Sequence, residues 1–515
     1  MKRTHELVIV VDFGAQYTQL IARRVRECDV FCRIVPFHQA LQSIDELKPN
    51  AIILSGGPAS VYDENAPTID RRLFDLGLPT LGICYGCQLM AQTLGGSVKR
   101  LSEREYGHAQ MSLPVTSALL DGFSNPSAVW MSHGDTIDGL PSDFETLGQT
   151  DTTPFAAIRH RTKPLYGVQF HPEVTHTANG GLIFRNFLYR IAGLSGDWKM
   201  ENFAEEEKAR IRETVGDSKV ILGLSGGVDS SVAGVLIHEA IGDQLECIFV
   251  NNGLLRKNEA DDVRSTFADN FKMNLRYIDA SDRFLDALKG VSDPERKRKI
   301  IGEVFVRVFE DAARSIKGAK FLAQGTLYPD VIESVSAHGG PTATIKSHHN
   351  VGGLPKELGL ELLEPFRSLF KDEVRRLGRA LGVPEIIVNR QPFPGPGLAV
   401  RIPGEIDSEK IRILQDADAI VVDEIRQAGL YNSIWQSFAA LLPVRSVGVM
   451  GDERTYDYTI CIRSVDSTDA MTADWTRLPY DLLAKMSNRI INTVNGVNRV
   501  VYDISSKPPA TIEWE

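Results

Sequence analysis

The fold is decided by the stretch KVILGLSGGVDSSVAGVLI, residues 219–237. The apolar run at 219–224 is typical of a strand that is buried on both faces. A glycine-rich turn follows, and the apolar residues of 231–241 then predict a helix. A second apolar run at 246–251 predicts the next strand. Strand, turn, helix and strand in this order form the repeating unit of an α/β protein with a parallel sheet.

The first part of the chain repeats this organisation. Short apolar runs alternate with a helical pattern that stops at Gly95 and Gly96, where glycine tolerates the left-handed turn that ends a helix. Strands are predicted at 7–12, 51–54, 79–84 and 164–170, and a helix at 87–94. The predicted fold class is therefore α/β.

Length and local composition predict three domains. The chain has 515 residues, and a domain holds roughly 150. A charged, helix-favouring segment around 196–218 precedes the second series of strands. The segment RQPFPGPG, 390–397, cannot form regular structure and indicates another boundary. We expect domains over 1–198, 199–390 and 391–515.

Composition excludes several classes of protein. Hydrophobic residues make up 43% and charged residues 24%, which argues against a disordered, collagenous or coiled-coil chain. A net charge of −10 gives no overall attraction for nucleic acid or an anionic membrane. Apolar runs are too short to cross a bilayer, and the first residues lack a signal-peptide pattern. We expect a cytoplasmic protein whose six cysteines are reduced.

Cys84 lies where a predicted strand meets a predicted helix. The surrounding GICYG, 82–86, has the form of a nucleophile elbow, and the helix N-terminus favours the reactive thiolate. His171 follows another predicted strand, and Glu173 points the same way because i and i+2 share a side of an extended segment. The sequence predicts Cys84, His171 and Glu173 as nucleophile, base and orienting carboxylate.

Backbone N–H groups near this elbow predict an oxyanion hole. The turn SGGP, 55–58, offers the N–H of Gly57, and the N–H of Tyr85 is the natural second donor. The spacing of Cys84 and Cys87 also allows a redox pair or half of a zinc site, although no second C-x-x-C completes one. A buried cysteine that acts only as a small apolar residue is the structural alternative.

The turn SGGVDSS, 225–231, predicts an anion site. Exposed glycine N–H groups, serine hydroxyls and a helix N-terminus all stabilise negative charge. The turn lacks the Gly-Lys-Ser/Thr ending of a Walker A loop and suits a pyrophosphate leaving group, with Asp229 holding Mg²⁺. A tight turn without a ligand is the alternative. The predicted ATP-binding residues of this turn are Ser225, Gly226, Gly227, Val228, Asp229, Ser230 and Ser231.

About residues 5–195 resemble the class I (triad-type) glutamine amidotransferases, on the elbow, the HPE segment at 171–173 and the SGGP turn. The resemblance implies an amidotransferase domain that hydrolyses the side-chain amide of glutamine. The reaction would pass through a glutamyl thioester on Cys84 and release ammonia. His133 and Asp135, in MSHGD, also match the family and are expected near the substrate.

The turn 225–231 resembles the ATP pyrophosphatase (PP-loop) family, whose members adenylate an oxygen and then displace AMP with a nucleophile. The segments QGTLYPD, 324–330, and FKDE, 370–373, extend this resemblance. Lys371 is the expected phosphate contact, because a charge on a flexible stem can follow a departing pyrophosphate. An exposed helix lysine is the alternative.

Essentially the whole chain resembles the glutamine-hydrolysing GMP synthase family. The segments that carry this resemblance are RKRKII (296–301), RQPFPGPG (390–397), MGD (450–452), MTADW (471–475) and the ending at 503–515. The resemblance implies that ATP adenylates the C2 oxygen of xanthosine 5′-monophosphate (XMP), pyrophosphate leaves, and ammonia replaces AMP to give GMP. It implies Mg²⁺ with the ATP and no prosthetic group.

The same resemblance assigns further residues and domains. Arg298 and Lys507 would bind the nucleotide phosphate, although a basic run such as that around Arg298 is often a solvated surface. Asp452 and Glu513 would contact the nucleotide or shape its pocket, and Lys346 would approach the phosphates from a mobile lid at 333–355. The domains would be a class I amidotransferase, an adenine-nucleotide α-hydrolase-like (PP-loop) parallel-sheet domain and a smaller α+β C-terminal domain that forms a homodimer.

One position departs from the family, and three alternatives remain. Asn251 stands where the family usually has an acidic residue, so it keeps hydrogen bonds but loses the charge. NAD synthetase also joins glutamine hydrolysis to a PP-loop, but its amidotransferase is of the nitrilase type. A tRNA-modifying PP-loop enzyme is disfavoured by the acidic composition. A non-catalytic nucleotide-binding regulator would not need both sites.

Overall fold

Two compact units make up the chain: Met1–Phe203 forms most of the first, and Ala204–Asp330 with Thr344–Glu515 forms the second. The computed structural model describes residues 5–15, 17–333, 359–450, 453–467 and 472–515. Each unit is built around its own sheet of mainly or wholly parallel strands, so the predicted α/β class is confirmed.

The first unit contains a seven-stranded sheet and a separate two-stranded ribbon. The sheet has the order β2-β1-β3-β4-β9-β8-β7; β2 to β9 are parallel in this order, whereas β8 and β7 are antiparallel additions. The ribbon pairs β5 with β6. The strands are β1 (Leu7–Asp12), β2 (Phe31–Pro36), β3 (Ala51–Leu54), β4 (Thr80–Ile83), β5 (Ser97–Met111), β6 (Ser127–Gly139), β7 (Phe144–Gly148), β8 (Ala157–His160) and β9 (Leu165–Val168).

Helices pack against this sheet because its central strands are apolar along their whole length. Every residue of β3 and β4 is buried, as expected for parallel strands covered on both faces. The α-helices are α1 (Thr18–Glu27), α2 (Ala40–Leu47), α3 (Tyr85–Thr93) and α4 (Gly181–Arg185). Short 3₁₀ or π turns cover Phe37–Gln39, Arg71–Asp75 and Asn186–Ile191, and α5 (Met200–Val215) leads towards the second unit.

The second unit contains a five-stranded parallel sheet with the order β12-β11-β10-β13-β14. Its strands are β10 (Lys219–Gly223), β11 (Leu245–Asn251), β12 (Asn274–Asp279), β13 (Ala319–Ala323) and β14 (Glu361–Leu363). Its α-helices are α6 (Val228–Ile241), α7 (Glu259–Arg264), α8 (Ser281–Leu288), α9 (Pro294–Arg314), α10 (Tyr328–Glu333), α11 (Lys371–Ala380) and α12 (Glu385–Val388). Short 3₁₀ or π turns cover Gly242–Gln244, Ser265–Asn270 and Gly397–Arg401.

A smaller, mixed sheet completes the second unit. Strands β15 (Gln436–Met450) and β16 (Glu453–Asp466) form a long antiparallel pair, with β17 (Asp474–Trp475) and β18 (Val497–Asp503) also beside β16. The helices of this part are α13 (Ser408–Gln427) and α14 (Tyr480–Thr493). One apolar cluster continues from Ile221 of β10 to Ile460 of β16, so the two sheets of this unit share a core.

Most predicted elements are present, with shifted ends. Helix α3 begins at Tyr85 rather than at residue 87, and α6 begins at Val228 rather than at residue 231, because each helix starts directly at the turn before it. The ribbon of β5 and β6 was not predicted, since its sequence is largely polar. Among the described residues, no helix combines the length and the apolar character needed to span a membrane.

Candidate active sites

Cys84 occupies the sharp turn between β4 and α3. Its φ of +50° is left-handed, a conformation that costs energy for any residue other than glycine. A Cβ on Gly82 would lie 2.7 Å from the backbone N of Cys87, and one on Gly86 would lie 2.5 Å from the carbonyl oxygen of Leu54. Both glycines are therefore required by close backbone approach, as the elbow predicted.

His171 and Glu173 form a buried pair beside Cys84. The distance between His171 Nδ1 and Glu173 Oε1 is 2.6 Å, and both side chains are almost fully buried. A Cβ placed on Gly56 would lie 3.5 Å from His171 Cε1 and 3.9 Å from Cys84 Cβ, so Gly56 lies close to both His171 and Cys84. The fold thus brings the three residues of the predicted triad together.

The electrostatics of this pair favour a charged imidazole. Burial lowers the pKa of His171, but the charges of Cys84 and Glu173, and the hydrogen bonds to them, outweigh burial. The pKa of His171 therefore lies well above its ordinary value of 6.5. An imidazolium held between a carboxylate and a sulfur can stabilise a thiolate and later return a proton to a leaving amine.

Two backbone N–H groups were predicted to form an oxyanion hole near Cys84, those of Gly57 and Tyr85. A Cβ on Gly57 would lie 3.1 Å from Tyr85 Cγ, so the turn after β3 approaches the first residue of α3. The N–H of Cys84 is occupied by Val168 O and that of Gly86 by Ser55 O, at 2.8 and 3.0 Å. Within the described part of the chain, the N–H groups of Gly57 and Tyr85 donate to no backbone oxygen. Both N–H groups are therefore free of backbone partners, as the predicted oxyanion hole requires.

Asp135 and His133 lie on β6 and are held by different partners. Asp135 accepts hydrogen bonds from Ser60 Oγ at 2.5 Å and from Tyr62 OH at 2.7 Å. His133 is buried, with Nε2 at 3.3 Å from Glu105 Oε2. Burial alone would raise the pKa of Glu105. The opposing effect of His133, Thr152 and Thr153 is larger, so the pKa is lowered to about 2.

Two buried glutamines near Cys84 were not predicted. Gln169 donates from Nε2 to Cys84 Sγ at 3.7 Å, and its Oε1 lies 3.3 Å from Gln88 Nε2. Gln88 also donates to the carbonyl oxygen of Asp135 at 2.7 Å. Spacing could have identified Gln88, which is one helical turn after Cys84. Gln169 gives no such signal, because it lies in a bend after β9.

The second site is the turn between β10 and α6. Ser225 Oγ lies 2.9 Å from Ser230 Oγ, and the N–H of Gly227 donates to Ser225 Oγ at 3.3 Å. Gly226 has a φ of +74°, and its carbonyl oxygen accepts a hydrogen bond from Arg390 Nη1 at 2.8 Å. The turn therefore has a fixed shape that leaves the first N–H groups of α6 at its open side, a favourable arrangement for an anion.

Asp229 lies in the first turn of α6 and contacts Lys371 at the start of α11. Asp229 Oδ2 accepts a hydrogen bond from Lys371 Nζ, whereas the buried Oδ1 has no hydrogen-bond partner among the residues that the structure describes. Mg²⁺ prefers carboxylate oxygens and is usually bound by one or two of them together with substrate phosphates. The free Oδ1 fits such an ion. Among the described residues, His, Cys, Asp and Glu form no group of three or more that could bind a metal alone.

Asn251 has a structural role in the turn after β11. Its Oδ1 accepts a hydrogen bond from the N–H of Gly253 at 3.0 Å, and its Nδ2 donates to Tyr277 OH at 3.1 Å. Asp279 Oδ1 lies 3.5 Å from the same Nδ2. An amide suits this position because it can donate towards the Asp279 carboxylate, whereas an ionised aspartate could only accept.

The residues expected to bind the substrate nucleotide have mixed placements. Arg298 donates to the backbone oxygen of Glu515 at 2.5 Å. Glu513 accepts hydrogen bonds from Arg401 at 3.0 and 3.1 Å and from Gln436 at 2.6 Å, so this carboxylate is held by the protein. Lys507 pairs through its backbone with Ala473. Asp452, Lys346 and almost all of the predicted lid at 333–355 lie outside the described residues.

Fold and sites define a glutamine amidotransferase joined to an ATP-using synthetase. The class-I glutamine amidotransferase family matches residues 9–191, the NAD synthase family matches 203–303, and the GMP synthase C-terminal domain family matches 423–514. A GMP synthase (glutamine-hydrolysing) of Brachyspira hyodysenteriae is 60% identical over 100% of both chains. Those of Phenylobacterium zucineum and Caldicellulosiruptor saccharolyticus are 59% and 58% identical over 99% of this chain and 99% and 100% of their own. The chain therefore belongs to the glutamine-hydrolysing GMP synthase family.

Proposed function

We propose that this chain converts XMP, ATP, glutamine and water into GMP, AMP, pyrophosphate and glutamate. The observation that carries the proposal is that Cys84, left-handed and beside a buried His–Glu pair, shares one chain with the SGGVDSS turn. The first site supplies ammonia, and the second activates the purine. Full-length similarity to GMP synthases supports XMP as the acceptor.

In the glutaminase half, the Cys84 thiolate attacks the side-chain carbonyl carbon of glutamine. The oxygen becomes negatively charged, and the N–H groups of Gly57 and Tyr85 stabilise it. His171 then gives its proton to the leaving nitrogen, ammonia departs and a glutamyl thioester remains. His171 next takes a proton from water, the hydroxide attacks the thioester, and glutamate leaves as the sulfur recovers its negative charge. Glu173 keeps Nδ1 of His171 oriented and supports its charge.

In the synthetase half, the C2 oxygen of XMP attacks the α-phosphorus of ATP and pyrophosphate leaves. The residues of 225–231 hold the departing phosphates through N–H groups and hydroxyls, and Lys371 follows them with its charge. Ammonia then attacks C2, and AMP leaves with the oxygen. The buried Oδ1 of Asp229 would hold Mg²⁺, which when bound neutralises phosphate charge. No prosthetic group takes part in this scheme.

For the nucleotide, we propose that Arg298 and Lys507 bind its phosphate, and that Asp452 contacts the base or ribose. Glu513 shapes the pocket rather than touching the substrate, since Arg401 and Gln436 occupy both of its oxygens. We further propose three domains, over 1–198, 199–390 and 391–515. We also propose a cytoplasmic location.

We also propose a homodimer formed by the C-terminal domain. Val447 and Tyr456 are direct cross-strand partners on β15 and β16, and Val449 lies two residues further on the same face. Their exposed fractions are 59%, 62% and 72%. Apolar side chains exposed together on one face of a sheet are typical of a protein–protein interface.

The replacement of Cys84 by alanine tests the division of labour between the sites. We expect Cys84→Ala to abolish GMP formation with glutamine and to leave GMP formation with ammonium salts intact. The matched control is Cys28→Ala, because burial raises the pKa of the Cys28 thiol to about 11 and keeps it protonated. Loss of both activities in Cys84→Ala would contradict a dedicated ammonia source at this cysteine.

A further inference from the structure

Gln169 is a buried polar residue that the scheme above does not use. It is fully buried and directly follows β9, in a bend two residues before His171. The bend brings the side chains of both Gln169 and His171 to Cys84. His171 provides the base, and Gln169 places an amide N–H 3.7 Å from the sulfur.

The orientation of the Gln169 amide is fixed by its neighbours. Gln88 Nε2 donates to the carbonyl oxygen of Asp135 at 2.7 Å, which identifies that end of Gln88 as the NH₂ group. The same Nε2 lies 3.3 Å from Gln169 Oε1, so Gln169 must present its oxygen to Gln88 and its NH₂ to Cys84. A flipped Gln169 would place two NH₂ groups together and an oxygen against the sulfur.

Burial makes this arrangement energetically important. Gln88 is 3% exposed and Gln169 0% exposed, so water cannot replace either hydrogen bond. In such surroundings a hydrogen bond to an anion is stronger than in water, and a lone pair facing the anion would be repulsive. A neutral thiol gains little from an N–H donor, whereas a thiolate gains much more.

We propose that Gln169, oriented by Gln88, is a positioning residue that holds the Cys84 sulfur as a thiolate aimed at the substrate carbonyl. The inference rests on the proposed role of Cys84 as nucleophile. Gln169 takes no part in bond making; its N–H supports the negative charge before the attack and again when the thioester is hydrolysed.

The test compares the wild-type enzyme with Gln169→Met and Gln169→Glu. Glutamate has the shape of glutamine, so Gln169→Glu still tests the inference if Gln169→Met folds poorly. We expect kcat of the glutaminase reaction to fall about tenfold in Gln169→Met, with KM for glutamine changed less than about twofold. The rate of Cys84 alkylation by iodoacetamide should fall by a similar factor at neutral pH, and further in Gln169→Glu, whose oxygen would face the thiolate. Gln92→Met, an exposed glutamine one turn after Gln88 in the same helix, should behave as wild type.

The outcomes separate this inference from the proposed function. Wild-type kcat and alkylation rate in Gln169→Met and Gln169→Glu would overturn it, and so would an equal loss of ammonium-driven GMP formation, because that would indicate a structural role. Glutamine-driven activity that survives Cys84→Ala would instead overturn the proposed nucleophile.

Discussion

At the scale of single residues, the candidate glutaminase site depends on His171, whose charged form is stabilised by its neighbours. The pKa of His171 is raised well above 6.5 because Cys84 and Glu173 outweigh the effect of burial. A group whose pKa is raised on folding stabilises the folded state fully below its unfolded value, and this contribution is lost as the pH rises through the folded-state pKa. The pair therefore stabilises the fold over the pH range below the folded-state pKa of His171, and most strongly below its unfolded-state pKa.

We predict that Glu173→Gln narrows this pH window. Without the carboxylate, the pKa of His171 falls, so the contribution to the free energy of unfolding is lost at a lower pH. The variant should lose about 2 kcal/mol at acidic to neutral pH, as expected for a hydrogen bond to a charged group. Glutaminase kcat should fall about 100-fold, since the base is no longer oriented.

Denaturant unfolding across a pH series, together with glutaminase rates, checks this prediction. Glu64→Gln, an exposed carboxylate in the same unit, is the control and should change neither quantity. A stability profile of Glu173→Gln that follows the wild type at every pH would show that the carboxylate does not set the charge of His171.

At the scale of elements, the two sites are strand ends followed by tight turns, and the sequence predicted both from short patterns. GICYG and SGGVDSS each lie after an apolar run. Gly82 and Gly86 are needed for close contacts with Cys87 and with Leu54 of the neighbouring strand, whereas Gly226 lies against Val263 of α7. Gln169 was missed because a glutamine in a bend gives no local signal, and Gln88 because its spacing from Cys84 is a weak signal by itself. Glu105 on β5 was missed because its partners, Thr150 and Thr153, come from a distant loop. Such long-range pairings depend on the tertiary fold.

Asp229, after the turn that precedes α6, can be tested by a substitution that removes only its charge. Asp229→Asn removes the negative charge that balances Lys371 and that would hold Mg²⁺, while the side chain keeps its size. We expect pyrophosphate release from ATP in the presence of XMP to fall at least about 100-fold, the usual effect of losing one preorganised charge contact. Glutamine hydrolysis at Cys84 should continue.

The measurement is a pyrophosphate release assay with ammonium salts, XMP and varied Mg²⁺. Asp217→Asn, in the exposed turn before β10, provides a control with the same chemical change. Release at the wild-type rate in Asp229→Asn would refute the assignment of Asp229 as the metal-binding carboxylate.

At the scale of the whole molecule, the proposed dimer can be tested separately from catalysis. Val449→Asp places a charge within the exposed apolar face formed by Val447, Val449 and Tyr456. A charge buried in an interface without a partner is strongly unfavourable, so we expect the mass in light scattering to fall to that of a monomer. Val115→Asp, an exposed valine in the first unit, should leave the mass unchanged. A dimeric Val449→Asp variant would exclude this face.

The boundary between Phe203 and Ala204 has a consequence for biosynthesis. The whole seven-stranded sheet, with Cys84, His171 and Glu173, leaves the ribosome before the nucleotide-activating sheet has been translated. At a translation rate of roughly 5–20 residues per second, synthesis of the second unit takes tens of seconds after the first unit has been translated. If the proposed glutaminase were active throughout that interval, it would release ammonia before the synthetase half had been made to use it.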